Sequence, residues 1–300
     1  MLSKYLSYSV YDCFTDKRFG GNVGAIVWNA KKLNATQMQN LAKEFNVPVT
    51  GFILGINNNQ VRARFFMPSA EIGMCGHVTI GIFTHLINNK LINSDKCILE
   101  IPSGQIEIIT EQTNNDNPLI MFSLTIPKFL NIQINEQEIL NALNISSDNI
   151  SSIPIGSFDA GLKHLFINFK NEKVLRSLKP NFNDLKKISK KLNIDTVACF
   201  TLDNSQSDIN LKIRDFCPVL GVNETPASGT TNGALTGYLL KNKLIKTVSQ
   251  RIIAYQGSEI GRPSCIISKI DVHNKEITKL QVGGTAVSSF KGEIEPLENN

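Results

Sequence analysis

The chain carries a diverged copy of part of itself. Cys75-Gly76-His77-Val78-Thr79-Ile80-Gly81 runs through Leu86 to Asn89-Lys90-Leu91-Ile92. Ser228-Gly229-Thr230-Thr231-Asn232-Gly233 runs through Leu239 to Asn242-Lys243-Leu244-Ile245, so that Cys75 answers to Ser228 at a constant offset of 153. Upstream, with three more residues of spacing in the second copy, Arg64-Phe65-Phe66-Met67-Pro68 matches Arg214-Asp215-Phe216-Cys217-Pro218 as R-x-F-x-P. An offset this long is not a solenoid repeat, whose period is roughly 20–50 residues. It predicts two homologous domains facing each other across a cleft, a usual place for a small-molecule site. The 300 residues suffice for two domains of about 150 each.

Local patterns agree with two halves of one plan. Alternating apolar stretches predict strands at Tyr8 to Phe14 and Gly24 to Trp28, around a turn at Asp16 to Asn22. Asn34 or Thr36 caps a helix to Phe45, with Met38, Leu41, Ala42 and Phe45 at helical spacing. Strands follow at Gly51 to Leu54 and Val61 to Phe66, then the Cys75 helix to about Asn89, then strands at Cys97 to Ile101, Gln105 to Thr110 and Leu119 to Ile126. Asn114 to Asn117 reads as a hairpin tip, and a short helix falls near Glu136 to Leu143. The second half repeats the order: strand Phe158 to Phe169, helix Asn183 to Leu192, strands Ala198 to Leu202 and Ile209 to Phe216, and helix Gly229 to Leu240. Strands at Arg251 to Gln256, Ser264 to Asp271 and Lys279 to Val287 close it. Each half is thus many strands around one apolar helix. The expected division is residues 1–127 with the Cys75 helix, 128–290 with the Ser228 helix, and a fraying charged tail at 291–300.

Bulk properties exclude several classes. A hydrophobic fraction of 42% with 19% charged residues supports sizeable cores. No apolar run approaches the roughly 20 residues of a membrane-spanning helix, so no membrane role is expected. Met1 to Val10 has one Lys and no long apolar stretch, which predicts no leader peptide and a cytoplasmic location. The net charge of +5 is dispersed among acidic residues, without the basic cluster or aromatic platform of a nucleic-acid binder. The six cysteines show neither a CxxC nor a zinc-ligand spacing, so no metal site is expected.

Chemistry concentrates at the two helix starts. Unpaired backbone N–H groups there bind anions and lower the pKa of a nearby thiol. A Cys75 thiolate is a base able to take a proton alpha to a carboxylate, with Gly76 letting a ligand approach and the N–H groups steadying the enolate. Ser228 is the equivalent group in the second half and a far poorer base. The plainer reading makes Cys75 a small cap residue and Ser228 an ordinary N-cap. His77, in the first helical turn, is either a proton donor in the cleft or a structural histidine. Asn22 either hydrogen-bonds a ligand or fills a left-handed turn position, and His164 occupies a similar place in the second half. Arg262 is an anion clamp or a hairpin salt-bridge residue. Gly283-Gly284 permits close backbone approach or marks a plain hairpin.

At Tyr11 to Asp16, Phe19 to Asn22, Arg64 to Pro68, Cys75-Gly76-His77, Arg214 to Pro218, Gln256 to Pro263 and Val282 to Gly284, the chain resembles the phenazine-biosynthesis PhzF-like isomerase family across nearly its whole length. That family is similar to diaminopimelate epimerases and proline racemases. The resemblance implies an α+β fold of two pseudo-symmetric domains, each a β-barrel around a central α-helix, with the active site between them. It also implies cofactor-independent proton transfer and a homodimer. Two positions depart from the family pattern. In Asn46-Val47-Pro48-Val49-Thr50-Gly51-Phe52, Val49 stands where these isomerases carry a glutamate base. In Glu224-Thr225-Pro226-Ala227-Ser228-Gly229-Thr230, Thr225 stands where they carry an aspartate. Cys75 matches the first cysteine of the epimerase and racemase relatives, and Ser228 replaces the second. The expected function is isomerisation or epimerisation of a small amino-acid or hydroxy-acid carboxylate. Cys75, His77 and Ser228 are its expected catalytic groups, and Asn22, Gly76, Gly229 and Thr230 its expected substrate contacts. The alternatives are a one-base lyase, or a small-molecule binding protein that kept the cleft without the chemistry. Asp159 and Glu224 are the conceivable replacement bases.

Overall fold

The computed structural model describes residues 5–113, 117–203, 209–246 and 248–295. Of the expected hairpin tip at Asn114 to Asn117, all but Asn117 lies outside these. The chain forms two compact units, one of the described residues up to Ser123 and from Gly283 onward, the other of Leu124–Val282.

In the first unit, β1 (Leu6–Cys13) and β2 (Asn22–Val27) form an antiparallel pair, followed by α1 (Ala35–Phe45), β3 (Val49–Asn57), β4 (Gln60–Phe66) and the two-residue β5 (Glu71–Ile72). The central helix α2 (Gly76–Asn88) comes next, then β6 (Lys96–Ile101), β7 (Gly104–Glu111) and β8 (Leu119–Ser123). The strands on either side of each helix pair in parallel, β2 with β3 and β4 with β6, and the others antiparallel. Asn34 caps α1 through a capping box with Gln37, and Asn46 ends it in the left-handed conformation (φ 49°).

The second unit runs β9 (Lys128–Leu130), α3 (Glu136–Ala142), β10 (Gly156–Asp159), β11 (Lys163–Asn168), α4 (Glu172–Ser177), α5 (Phe182–Leu192), β12 (Thr196–Asp203), β13 (Ile209–Cys217), β14 (Val222–Thr225), α6 (Gly229–Lys241), β15 (Gln250–Gln256) and β16 (Ser264–His273). Its ladders repeat those of the first unit: β10–β11 antiparallel, β11–β12 parallel, β12–β13 and β13–β14 antiparallel, β13–β15 parallel and β15–β16 antiparallel. The repeat in sequence is therefore a repeat in topology. The span expected as one strand over Phe158 to Phe169 is a hairpin whose turn holds Gly161 at φ +102°.

Both central helices are sunk in their own strands. Every residue of α2 from Val78 to Leu86 is buried, and every residue of α6 from Thr231 to Leu239. A helix apolar on all sides finds no solvent face and is wrapped by its neighbours. For α2 these are β1, β2, β3, β8 and β18 (Ala286–Ile294); for α6 they are β9, β10, β11 and β16.

The C-terminal segment corrects the expected domain limits. Strand β17 (Glu276–Gly284) leads into β18, which pairs antiparallel with β1 from Leu6↔Ile294 to Cys13↔Ala286. Residues from Gly283 thus complete the first unit, and Lys291 to Ile294 are strand, not tail. The reason is exposure: most of β18 is half-buried or exposed, so its side chains lack the apolar alternation that marks a strand in sequence. The stretch read as one strand over Lys279 to Val287 spans the end of β17 and the start of β18. A Cβ on Gly283 would collide with the Ile120 carbonyl, so this glycine serves close backbone packing.

R-x-F-x-P is a structural clamp in both units. Arg64 holds Glu71 of β5 through two hydrogen bonds of 2.7 Å, and Arg214 holds Glu224 of β14 at 3.0 and 2.7 Å. Each guanidinium also lies over the motif phenylalanine, Phe66 at 5.2 Å and Phe216 at 5.0 Å. Glu224 is thereby occupied, and Asp159 accepts the Gly161 N–H at 2.8 Å in an exposed turn.

Candidate active site

The two helix starts are copies in backbone as well as in sequence. Cys75 is the N-cap of α2 at φ −137°, ψ 113°, and Ser228 the N-cap of α6 at φ −139°, ψ 115°. The residue two places on meets the cap side chain in each unit: Cys75 Sγ lies 3.2 Å from His77 Nδ1, and Ser228 Oγ lies 3.1 Å from Thr230 Oγ1. The residue four places on holds the cap carbonyl, through Thr79 Oγ1 at 2.9 Å and Asn232 Nδ2 at 2.9 Å.

The thiol is not the activated one that position alone suggests. The backbone N–H groups of Val78 and His77 do favour the thiolate, but burial outweighs them and pushes Cys75 up to about 12. Burial also brings His77 down to about 4, against the opposing pull of a hydrogen bond to the Val23 carbonyl. A neutral imidazole that donates from one nitrogen to that carbonyl offers the other as an acceptor. At rest Cys75 is therefore a neutral thiol in contact with a neutral His77.

Other expected contacts divide. Gly76 does not leave room for a ligand at its Cβ position: a Cβ there would stand 2.6 Å from Phe122 Cζ, so the glycine admits the aromatic ring. Asn22 is buried at the start of β2, and the left-handed positions of its turn belong to Phe19 (φ 67°) and Gly21 (φ 58°). The turn conformation thus gives no reason for an asparagine there. Gly229 and Thr230 open α6 beside Ser228. The Arg262 backbone closes the Gly257 turn with a 2.9 Å bond. Among the described residues, no group of three or more His, Cys, Asp and Glu is placed to hold a metal ion, and no helix is long and apolar enough to cross a membrane.

Ser228 opens a polar network that sequence reasoning missed. Thr231 Oγ1 lies 2.8 Å from Ser228 Oγ, donates to Asp215 Oδ2 at 2.6 Å and lies 3.4 Å from His164 Nδ1. His164 Nδ1 is in turn 2.8 Å from Thr196 Oγ1. All four of Asp215, Thr231, His164 and Thr196 are buried. Burial raises Asp215 to about 6 despite hydrogen bonds from Thr231 and Thr196, and holds His164 down to about 3. A signal was present in the repeat: the R-x-F-x-P alignment puts charged Asp215 opposite Phe65.

The profile described as "Phenazine biosynthesis-like protein" (PhzC-PhzF) matches residues 11–292. The chain belongs to that family. It is 32% identical to an uncharacterized isomerase of Clostridium acetobutylicum over 98% of its own length and 99% of the relative's. It is 28% identical to the trans-2,3-dihydro-3-hydroxyanthranilate isomerase of Pseudomonas chlororaphis, over 96% and 98%. A solved PhzF-family protein of Bacillus anthracis shares the fold at a TM-score of 0.87 and 24% identity, covering 97% of this chain and 99% of that one. Within the PhzC-PhzF frame the two departures stand out structurally. Val49 is buried on β3 opposite Gly24, and Thr225 ends β14 with its hydroxyl 3.4 Å from the Ala227 carbonyl.

Proposed function

We propose that this family member is a cofactor-independent isomerase or epimerase that moves a proton on the carbon beside the carboxylate of a small amino acid or hydroxy acid. The observation that carries the reading is the Cys75 thiol at a helix N-terminus with its sulfur 3.2 Å from His77 Nδ1. Val49 removes the carboxylate that would serve the allylic chemistry of the PhzF-like isomerases, so the substrate of the Pseudomonas relative is not carried over.

In this mechanism the N–H groups opening α2, at Gly76 to His77, hold carboxylate and enolate charge. The neutral Cys75 thiol delivers its proton to the enolate carbon. The thiolate left behind is steadied by the N–H groups of His77 and Val78. In the reverse direction the same thiolate takes the proton back. His77 positions the thiol, and Asn22 is a substrate contact.

The test is turnover of a panel of L-2-amino and L-2-hydroxy acids in D2O, read by mass spectrometry and chiral separation. The wild type yields an isomerised product carrying one deuterium, and Cys75→Ala yields none. Undiminished deuterated product from Cys75→Ala removes Cys75 from the mechanism, and binding of panel members without any exchange supports the binding-protein reading.

A further inference from the structure

The two units differ in what runs beside their central helices. Along β1 lies β18, with nine residues; in the same place along β10 lies β9, with three. The end of α6 faces a hollow of about 560 Å3 between β9, β10 and the β16–β17 turn. Its apolar lining comes from Pro127, Phe129, Phe158, Gly237, Leu240 and Ile277. Phe158 and Ile277 are buried, whereas Phe129 is 47% exposed although its ring centroid lies 5.5 Å from that of Phe158. Gly237 permits this packing: a Cβ there would stand 2.8 Å from Pro127 Cγ and 3.0 Å from the Phe158 ring. The volume falls in the range of roughly 300–1,000 Å3 that small-molecule sites occupy.

Cations gather around the apolar lining. Lys241, Lys243 and Lys275 line the hollow with Glu276 as the one acid among its described lining residues, and all four are exposed. Among the described residues, no ion pair engages any of the three lysines. Lys241 Nζ stands 4.0 Å from the centroid of the Phe129 ring. In the first unit the repeat puts Asn88 opposite Lys241, and Asn88 donates to Asn117 at 3.2 Å instead. A helix C-terminus ordinarily repels an anion. Here the N–H groups of Asn242, Leu244 and Lys243 already occupy the carbonyls of Tyr238, Leu239 and Leu240 at 3.1, 2.9 and 3.1 Å, so the lysines set the sign.

Charge decides between two kinds of occupant. A second copy docked about a two-fold axis through this face would set the three lysines against their own counterparts, and like charges across an interface are costly. A molecule with an apolar body and one anionic group matches both the lining and the lysines. We propose that the hollow is a binding site for a small organic anion with an apolar body, held against Phe129, Phe158 and Leu240 with its charge among Lys241, Lys243 and Lys275. The site lies about 20 Å along α6 from Ser228 and does not rest on the isomerase reading.

The test is isothermal titration calorimetry of the whole chain with 1-naphthoate and its uncharged counterpart 1-naphthylmethanol, in about 50 mM NaCl so that screening is slight. The acid should bind with a Kd of about 1 mM or tighter, and the alcohol about tenfold more weakly. Lys241→Gln with Lys275→Gln should weaken the acid about fivefold to tenfold and leave the alcohol unmoved, whereas Phe129→Ala should weaken both about tenfold. All three side chains are exposed, so these variants keep the fold. As a control for charge alone, Lys186→Gln with Lys190→Gln on α5, also exposed, should leave both affinities unchanged. Equal affinity for acid and alcohol, wild-type affinity in the Lys241/Lys275 variant, or no binding of the acid up to about 10 mM overturns the site. A dimer in sedimentation velocity that Phe129→Ala dissociates assigns this face to a second copy and overturns it as well.

Discussion

The position of Cys75 predicts unusually slow alkylation. At pH 7.5 a thiol held at about 12 is ionised to about 3 parts in 100,000, against roughly one part in ten for a free thiol of pKa about 8.5. That is a deficit of about 3,000-fold in thiolate. A more basic thiolate is intrinsically more reactive, with a Brønsted slope of about 0.4–0.5, which restores about 40-fold across these 3.5 units. Cys75 should therefore react with iodoacetamide roughly 100-fold slower than in the unfolded chain, and its 7% exposure slows it further. The assay is peptide mass spectrometry after timed alkylation of the native protein from pH 6.5 to 10.5, with the half-buried Cys265 as internal reference. The logarithm of the Cys75 rate should climb throughout, without a plateau. A plateau below about pH 8.5 would refute the reasoning, because it would show that the N–H groups of His77 and Val78 outweigh burial after all.

Other consequences are open to direct measurement. Arg214→Met strands a buried Glu224, whereas Arg64→Met frees a Glu71 that is 35% exposed. Urea denaturation should show a loss of about 3–5 kcal/mol for the first and under about 1 kcal/mol for the second; equal losses would contradict the assigned burial. Gly76→Ala forces a Cβ to 2.6 Å from Phe122 Cζ and should cost about 1–3 kcal/mol, with part recovered by adding Phe122→Leu. Acid should weaken the fold from about pH 6.5 downward. His77 and His164 have folded pKa values brought down to about 4 and 3, so the unfolded chain takes up their protons first. The stability they confer is complete above the unfolded value and is lost as pH falls through that window. Replacing His164 with Gln should flatten thermal stability between pH 6 and 4, and an unaltered slope would show that this histidine is charged in the fold.

How much was legible depended on where information is stored. The two central helices and their caps were visible because an all-round apolar run and a repeated Cys/Ser-Gly start are local signals. The clamp of R-x-F-x-P was visible as a motif but not as a clamp, since Glu71 and Glu224 lie seven and ten residues further on without shared spacing. The end of strand β18 was read as tail because Lys291 and Glu293 sit on a half-exposed strand whose partner is β1; nothing local marks that pairing. The lowered thiol pKa was the natural inference from a helix N-terminus. It failed because desolvation by burial has no sequence signature of its own.

The polar network beneath Ser228 was missed for a different reason, and it changes what the departures at Val49 and Thr225 mean. Read one at a time, they are losses of carboxylates. Read through the repeat, Val49 belongs with Gly24, Phe65 and Val78 to a set of four positions whose counterparts in the second unit are His164, Thr196, Asp215 and Thr231. Apolar packing lies below the first helix start and a polar network below the second. Burial keeps Cys75 protonated, whereas Asp215, raised only to about 6, is ionised at neutral pH. As the proposed resting donor, Cys75 should let a single turnover from an L-configured acid in D2O proceed without prior ionisation of the thiol. The pH–rate profile should accordingly hold on the alkaline side well past the roughly 8.5 of an ordinary thiol. A profile that instead rises through pH 8 to 9 would restore Cys75 as the initiating base.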